Sequence, residues 1–145
     1  MSHLPDPDLL PEFYVWVLPK RLIAWLVDSA LILAITAAAV VLTAFAAVVV
    51  FPPLLLAINV AYRYVSLVRW SATPGMVLMA VELRDARGAR LDQVTALLHT
   101  LIFTGAMATV LLQVVSVVMM LTGRRGQGLP DALLGTAMLN RPRAG

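Results

Sequence analysis

Asp28 is the only formal charge between Leu22 and Ala61, and a carboxylate in so apolar a run is the first candidate for chemistry. An acid near the centre of a membrane helix costs about 2.5–3.5 kcal/mol on insertion scales, so it needs a purpose: ion or proton binding, or the fastening of helices. Arg21 lies two helical turns earlier on the same face. At about 1.5 Å per residue the two Cα atoms are roughly 10 Å apart, and the arginine head turns toward water, so a direct Arg21–Asp28 pair is not expected. Antiparallel register suggests another partner. Asp28 is seven residues in from Arg21, and seven back from Arg69 is Tyr62, beside Arg63. Arg63 and Asp28 should share a depth. Asn59 is one turn from Arg63, so Asp28, Asn59 and Arg63 are predicted to form a polar cluster. Helix glue and a ligand or proton site both fit such a cluster.

Asp131 is the second acid of interest. In Gly128-Leu129-Pro130-Asp131, the proline suits the first turn of a short helix and the acid suits its positive dipole end. From one membrane face Asp131 could reach Arg21 or Arg69. His99 reads as a packed or interfacial histidine, because no second His, Cys or acid is spaced with it. With no cysteine and only two histidines, disulfides, thiolate nucleophiles and zinc sites are not expected, and neither a metal nor a cofactor is called for. There is no P-loop, no GxGxxG after a strand and no HExxH, so an enzyme is not expected. Met76, Met79, Met107, Met119, Met120 and Met138 read as packing or lipid contact.

The elements that must position these residues follow from composition. The chain has 145 residues, 61% apolar and 13% charged, against about 45–50% and about 25% in soluble domains, so its main solvent is lipid. The fold class is an all-α membrane protein: a transmembrane helical hairpin plus a third apolar helical segment, either a single span or re-entrant. Leu22 to Ala61 is too long for one crossing of about 20 residues. Phe51-Pro52-Pro53 divides it, giving helices over about 22–47 and 53–68. A connector over 71–92 opens with a turn at Thr73-Pro74-Gly75. This connector, expected on the cytoplasmic side, has a period-two apolar pattern from Val77 to Leu83, which fits a short hairpin-like strand or a segment lying on the membrane surface, then a turn at Arg87-Gly88. Asp92 reads as the N-cap of a helix over about 94–121. A single crossing there would put Arg124, Arg125, Arg141 and Arg143 outside. A break near Gly105 would keep them with the connector, and the balance leans that way.

Residues 1–20, with Pro5, Pro7 and Pro11, read as an extended, interfacial segment without the basic start of a signal peptide. The 21–140 stretch forms one membrane domain and 141–145 a basic tail. The net charge of +3 comes from 11 Lys+Arg against 8 Asp+Glu. It reads as positive-inside topology and contact with anionic lipids, not nucleic acid. Lys20, Arg84, Arg87, Arg90, Arg124 and Arg125 are the expected head-group contacts.

Three motifs in order, Arg21-Leu22-Ile23-Ala24-Trp25-Leu26-Val27-Asp28, Ser71-Ala72-Thr73-Pro74-Gly75 and Gly126-Gln127-Gly128-Leu129-Pro130-Asp131 with Gly135-Thr136, resemble the RDD family of bacterial membrane proteins. The resemblance matches Arg21, Asp28 and Asp131 to that family's arginine and two aspartates. It usually has a basic residue after Thr-Pro-Gly, an arginine opening the third run and a histidine before the last aspartate. Here Met76, His99 and Pro130 stand in those places, so the adjacent His-Asp pair is missing. The resemblance implies a multi-pass bacterial inner-membrane protein, with transport of unknown ligands suggested and cation/proton exchange proposed for some members.

Two functions are therefore expected to compete. In one, the chain is transport-related and oligomeric, with Asp28, Asp131, Arg21, Arg63 and Asn59 as the ion, ligand or proton site. In the other, it is a membrane-embedded accessory or assembly factor whose charges staple helices and whose connector docks a partner protein.

Overall fold

The computed structural model describes residues 3–141. The first long helix, α1 (Val17–Leu42), starts earlier than expected because Pro19 is accommodated in its opening turn. Its buried positions, Ala24, Asp28, Ile32, Thr36 and Val40, recur every fourth residue and form one inward stripe. Leu22, Ile23, Leu26 and Leu33 point outward and are exposed. An apolar helix with one buried face is what a lipid-facing span requires. The buried Thr36 hydroxyl is satisfied by donating to the Ile32 carbonyl at 2.8 Å.

The expected extension of this helix to residue 47 is not realised. Ala44 and Phe45 adopt left-handed φ values of 50° and 67°, which end the helix and lead into a 3-10 turn over Ala46–Val50. The second helix, α2 (Phe51–Trp70), then begins at the proline pair, two residues earlier and ending two later than the sequence suggests. Both helices are long and apolar enough to cross a membrane.

The connector contains a short helix, α3 (Pro74–Leu78), where a plain turn was expected. The Thr73 side chain caps it by accepting from the Met76 N–H. A strand follows, β1 (Val81–Arg84), confirming the strand-like pattern in part. The turn at Arg87-Gly88 is present, with Gly88 donating to the Asp85 carbonyl at 2.9 Å. Asp92 caps the next helix as expected, accepting from the Thr95 N–H at 2.7 Å.

The third apolar run is broken. Helices α4 (Gln93–Ala108) and α5 (Val110–Thr122) meet at 115°. The break falls at Thr109, whose extended φ of −120° and ψ of 109° interrupt the helix; Gly105 remains helical. A short helix, α6 (Leu129–Leu134), and a strand, β2 (Ala137–Asn140), complete the described chain. β2 pairs antiparallel with β1, Val81 opposite Asn140 and Arg84 opposite Ala137. The C-terminal strand therefore lies with the connector, in line with the re-entrant alternative. Ser71 ties the sheet to the end of α2: its hydroxyl donates to Leu83 O at 2.6 Å and accepts from Leu91 N at 2.9 Å.

The core sits at this junction, where Val17 and Ala24 of α1 meet Leu67, Met76, Val81, Leu83 and Met138. The N-terminal segment is less solvated than its prolines suggest. Leu4 is buried, His3 N donates to Ala86 O at 2.7 Å, and residues 11–13 form a 3-10 turn. Of the predicted basic tail, Arg141 lies 3.5 Å from Glu82; Arg143 and the rest of 142–145 lie outside the described residues.

Candidate functional site

Two buried carboxylates organise the interior, and they are held in different ways. Asp131 is the third residue of α6, where its carboxylate accepts from the Gly128 N–H at 3.1 Å and so closes the helix's first turn. Gly135, in a left-handed conformation with φ of 69°, ends the helix. That reversal returns Thr136 to the same carboxylate, to which its hydroxyl donates at 2.9 Å. Two long-range partners complete the shell. Arg21 of α1 donates at 2.7 Å, and His99 of α4 lies at 2.8 Å through Nε2.

Asp131, His99 and Thr136 are fully buried. Burial alone would raise the Asp131 pKa. The Arg21 charge and the His99 hydrogen bond outweigh it, and hold this carboxyl well below the usual carboxylate range. Since the carboxylate only accepts, His99 Nε2 carries the proton of that bond. The histidine is thus packed, as expected, yet it has an acidic partner that its sequence spacing concealed. The His-Asp pair missing from neighbouring positions is formed across the fold.

Asp28 has no cationic hydrogen-bond partner among the described residues. It accepts from the Tyr62 hydroxyl at 2.8 Å, from the Gly75 N–H at 2.8 Å and from the Thr73 hydroxyl in a short contact. These donors come from α2, the first turn of α3 and its cap, so one carboxylate joins two elements to α1. Gly75 is required for the approach: a Cβ there would lie 2.2 Å from the Ala24 carbonyl and 2.8 Å from Asp28 Oδ1.

The predicted Asp28–Asn59–Arg63 cluster is corrected here. Tyr62, not Arg63, reaches the carboxylate, because a helix turns its neighbours 62 and 63 to different faces. Asn59 is half-buried and makes no side-chain hydrogen bond among the described residues. Arg63 is buried, with its guanidinium 3.6 Å from the centroid of the Phe103 ring and its Nε without a hydrogen-bond partner among the described residues. Arg21 avoids Asp28 as expected, and its predicted reach to Asp131 is realised; Arg69 is exposed and forms no ion pair among the described residues.

A cleft of about 500 Å³ opens between α1, α4 and α5, and Arg21, Asp28 and Arg63 share its wall. Trp25, Phe103, Met107 and Met120 supply much of the rest. Its size lies within the roughly 300–1,000 Å³ of small-molecule sites. No group of three or more metal-ligating side chains occurs among the described residues.

The basic residues assigned to lipid head groups are largely engaged within the chain. Arg84 pairs with Glu82, Arg87 with Asp85 at 2.9 Å, and Arg124 with Asp8. Lys20 donates to Asn140 at 2.7 Å. Arg90 is exposed and Arg125 half-buried. Sequence reasoning missed Tyr62, Thr73, Gly75 and Thr136. For three of these the signal was present, in the Thr73-Pro74-Gly75 and Gly135-Thr136 motifs; Tyr62 carried none beyond its depth.

No curated protein and no solved structure matches the chain. The sequence does match the family model described as RDD family over residues 17–135, most of its length, a span that contains Asp28, Asp131, Arg21, Arg63 and His99 but ends just before Thr136.

Proposed function

The chain belongs to the RDD family, and we propose that this membrane protein is transport-related, with Asp28 taking a cation or proton from the cleft that it lines. One observation carries the reading: among the buried acids, Asp28 faces the cleft, and the described residues bonded to it are all neutral donors. A carboxylate so placed can accept a cation or proton without first surrendering a salt bridge. Asp131, enclosed between Arg21, His99 and Thr136, has the opposite character and serves as a staple.

The reading involves no covalent chemistry. It places the chain in the bacterial inner membrane, with the connector and β2 on the cytoplasmic side by the positive-inside rule. A chain of this size encloses little pathway alone, so the working form is a homo-oligomer. The accessory-factor reading is less well supported. It asks the connector arginines to bind a partner, and Arg84 and Arg87 are already paired with the chain's own acids.

The test is Na⁺/H⁺ and K⁺/H⁺ exchange in proteoliposomes, comparing wild type with Asp28→Asn at matched levels of folded protein. Exchange lost on this substitution is the expected result. If both proteins are inactive toward these ions, the ion-exchange reading fails and co-purifying partners become the next measurement.

A further inference from the structure

Arg63 is the least satisfied charged group inside the protein. Its residue is 6% exposed, its guanidinium rests on Phe103, and its side chain makes no hydrogen bond to a described residue. A guanidinium has five N–H donors in a planar fork matched to an oxyanion. Leaving them bare in a dry interior is costly, whereas filling them with a carboxylate or phosphate is strongly favourable.

The acids nearby do not fill this role. Asp131 is bound to Arg21 and His99, and Asp28 already holds Tyr62, Thr73 and Gly75. Arg63 shares the cleft with Arg21 and Asp28, and the remaining walls are largely apolar, with Trp25, Phe103, Met107 and Val117 among them. The half-buried Gln113 also faces it, with no side-chain hydrogen bond among the described residues. The site thus combines spare donors with the apolar walls of the same cleft, on a protein with two helices apolar enough to cross a membrane.

We propose that this cleft binds an amphiphile with an oxyanion head and an acyl chain, its head on the Arg63 guanidinium and its chain along Trp25, Met107 and Val117. Fatty acids and anionic phospholipids share this chemistry. The inference adds a ligand to the cleft used in the transport reading, but it rests on Arg63 and not on ion exchange, and binding is measured without an ion gradient.

Trp25 reports directly on the cleft. The other two tryptophans, Trp16 and Trp70, lie outside it and are 73% and 46% exposed. In a Trp16→Phe/Trp70→Phe background, the full chain in phosphatidylcholine nanodiscs is titrated with dibromostearate, with dibromoacyl phosphatidylglycerol and with dibromoacyl phosphatidylcholine. Saturable quenching of Trp25 by one or both anionic probes, beyond the level reached with phosphatidylcholine, is expected. Which anionic probe saturates identifies the source as a free fatty acid or a phospholipid.

Arg63→Gln should weaken that binding by roughly tenfold or more, the equivalent of a lost charge-assisted hydrogen bond. Val117→Phe, which adds bulk from the partly exposed face of α5, should abolish saturation even if Arg63→Gln does not fold. Equal quenching by all three probes, or saturation unchanged by the variants that fold, overturns the proposal. Loss of binding in Arg63→Gln with ion exchange intact would separate the ligand from the transport reading; exchange lost in Asp28→Asn with binding intact would separate them from the other side.

Discussion

Asp28 and Asp131 are both buried, both anchored to α1 or its partners, and both bridge three elements, yet they differ in what neutralises them. Asp131 meets a guanidinium and an imidazole and is sealed from solvent. Asp28 meets two hydroxyls and one backbone N–H and opens on a cleft. The difference shows that burial of an acid does not itself announce a site. An acid locked into a salt bridge has fixed ends, and disturbing it strands a charge. An acid held by neutral donors can change its charge while its partners remain in place.

The largest expected effect is at the staple. Asp131→Ala leaves Arg21, whose side chain is 10% exposed, and His99 without their shared acceptor, and should cost about 3–5 kcal/mol of unfolding free energy in mixed micelles. A loss no greater than that of Asp28→Asn would break the comparison. The pH dependence sharpens it. Because the folded-state pKa of Asp131 is depressed, its contribution is complete above the unfolded value of about 3.9 and is lost as the pH falls toward the folded one. Asp131→Asn should therefore flatten the acid limb of the stability curve; an unchanged limb would locate the acid sensitivity elsewhere.

Gly75→Ala comes next. Its Cβ would strike the Ala24 carbonyl and Asp28 Oδ1, pushing α3 from α1 at a cost of about 1–3 kcal/mol. Thermal unfolding monitored by circular dichroism checks this, and a neutral result would show that α3 can move without loss. Tyr62→Phe removes one donor from Asp28 but keeps the ring, and the half-buried position limits the loss to about 1 kcal/mol. An effect as large as that of Asp131→Ala would mean that Asp28 is also a staple. The smallest effect is set by the surface. Arg87 is 71% exposed in its pair with Asp85, and Arg87→Gln should change stability by about 0–1 kcal/mol. It supplies the baseline against which the buried sites are read.

Several features are legible in the sequence because their signals are local. Proline at the start of α2, Asp92 as an N-cap and Asp131 at the opening of α6 depend on residues within one turn. The strand-like pattern of the connector was legible in the same way, although its partner was not: β1 pairs with β2, more than fifty residues later. The break in the third run was anticipated near Gly105, since glycine is the usual weak point, but it falls at Thr109. The registers of α1 and α2 placed the right helices side by side and the wrong side chain on the acid. A difference of one position rotates a helical residue by about 100°, so depth arguments identify neighbours but not contacts.

The amino-acid sequence by itself determined that the chain is a helical membrane protein, that a proline pair opens its second long helix, and that Arg21, Asp28 and Asp131 are set apart from an apolar background. Those properties follow from composition, hydrophobic run length and short-range capping, all of which are carried by residues close together in the chain. Only the tertiary structure decided that His99 and Arg21 share Asp131, that Thr73 and Gly75 rather than Arg63 hold Asp28, and that Arg63 is left with its donors facing a cleft. Each of these outcomes depends on how the helices and the two-stranded sheet of the described residues pack together. Hydrogen-bond geometry discriminates at fractions of an ångström, whereas the periodicity of a sequence resolves no more than a face of a helix.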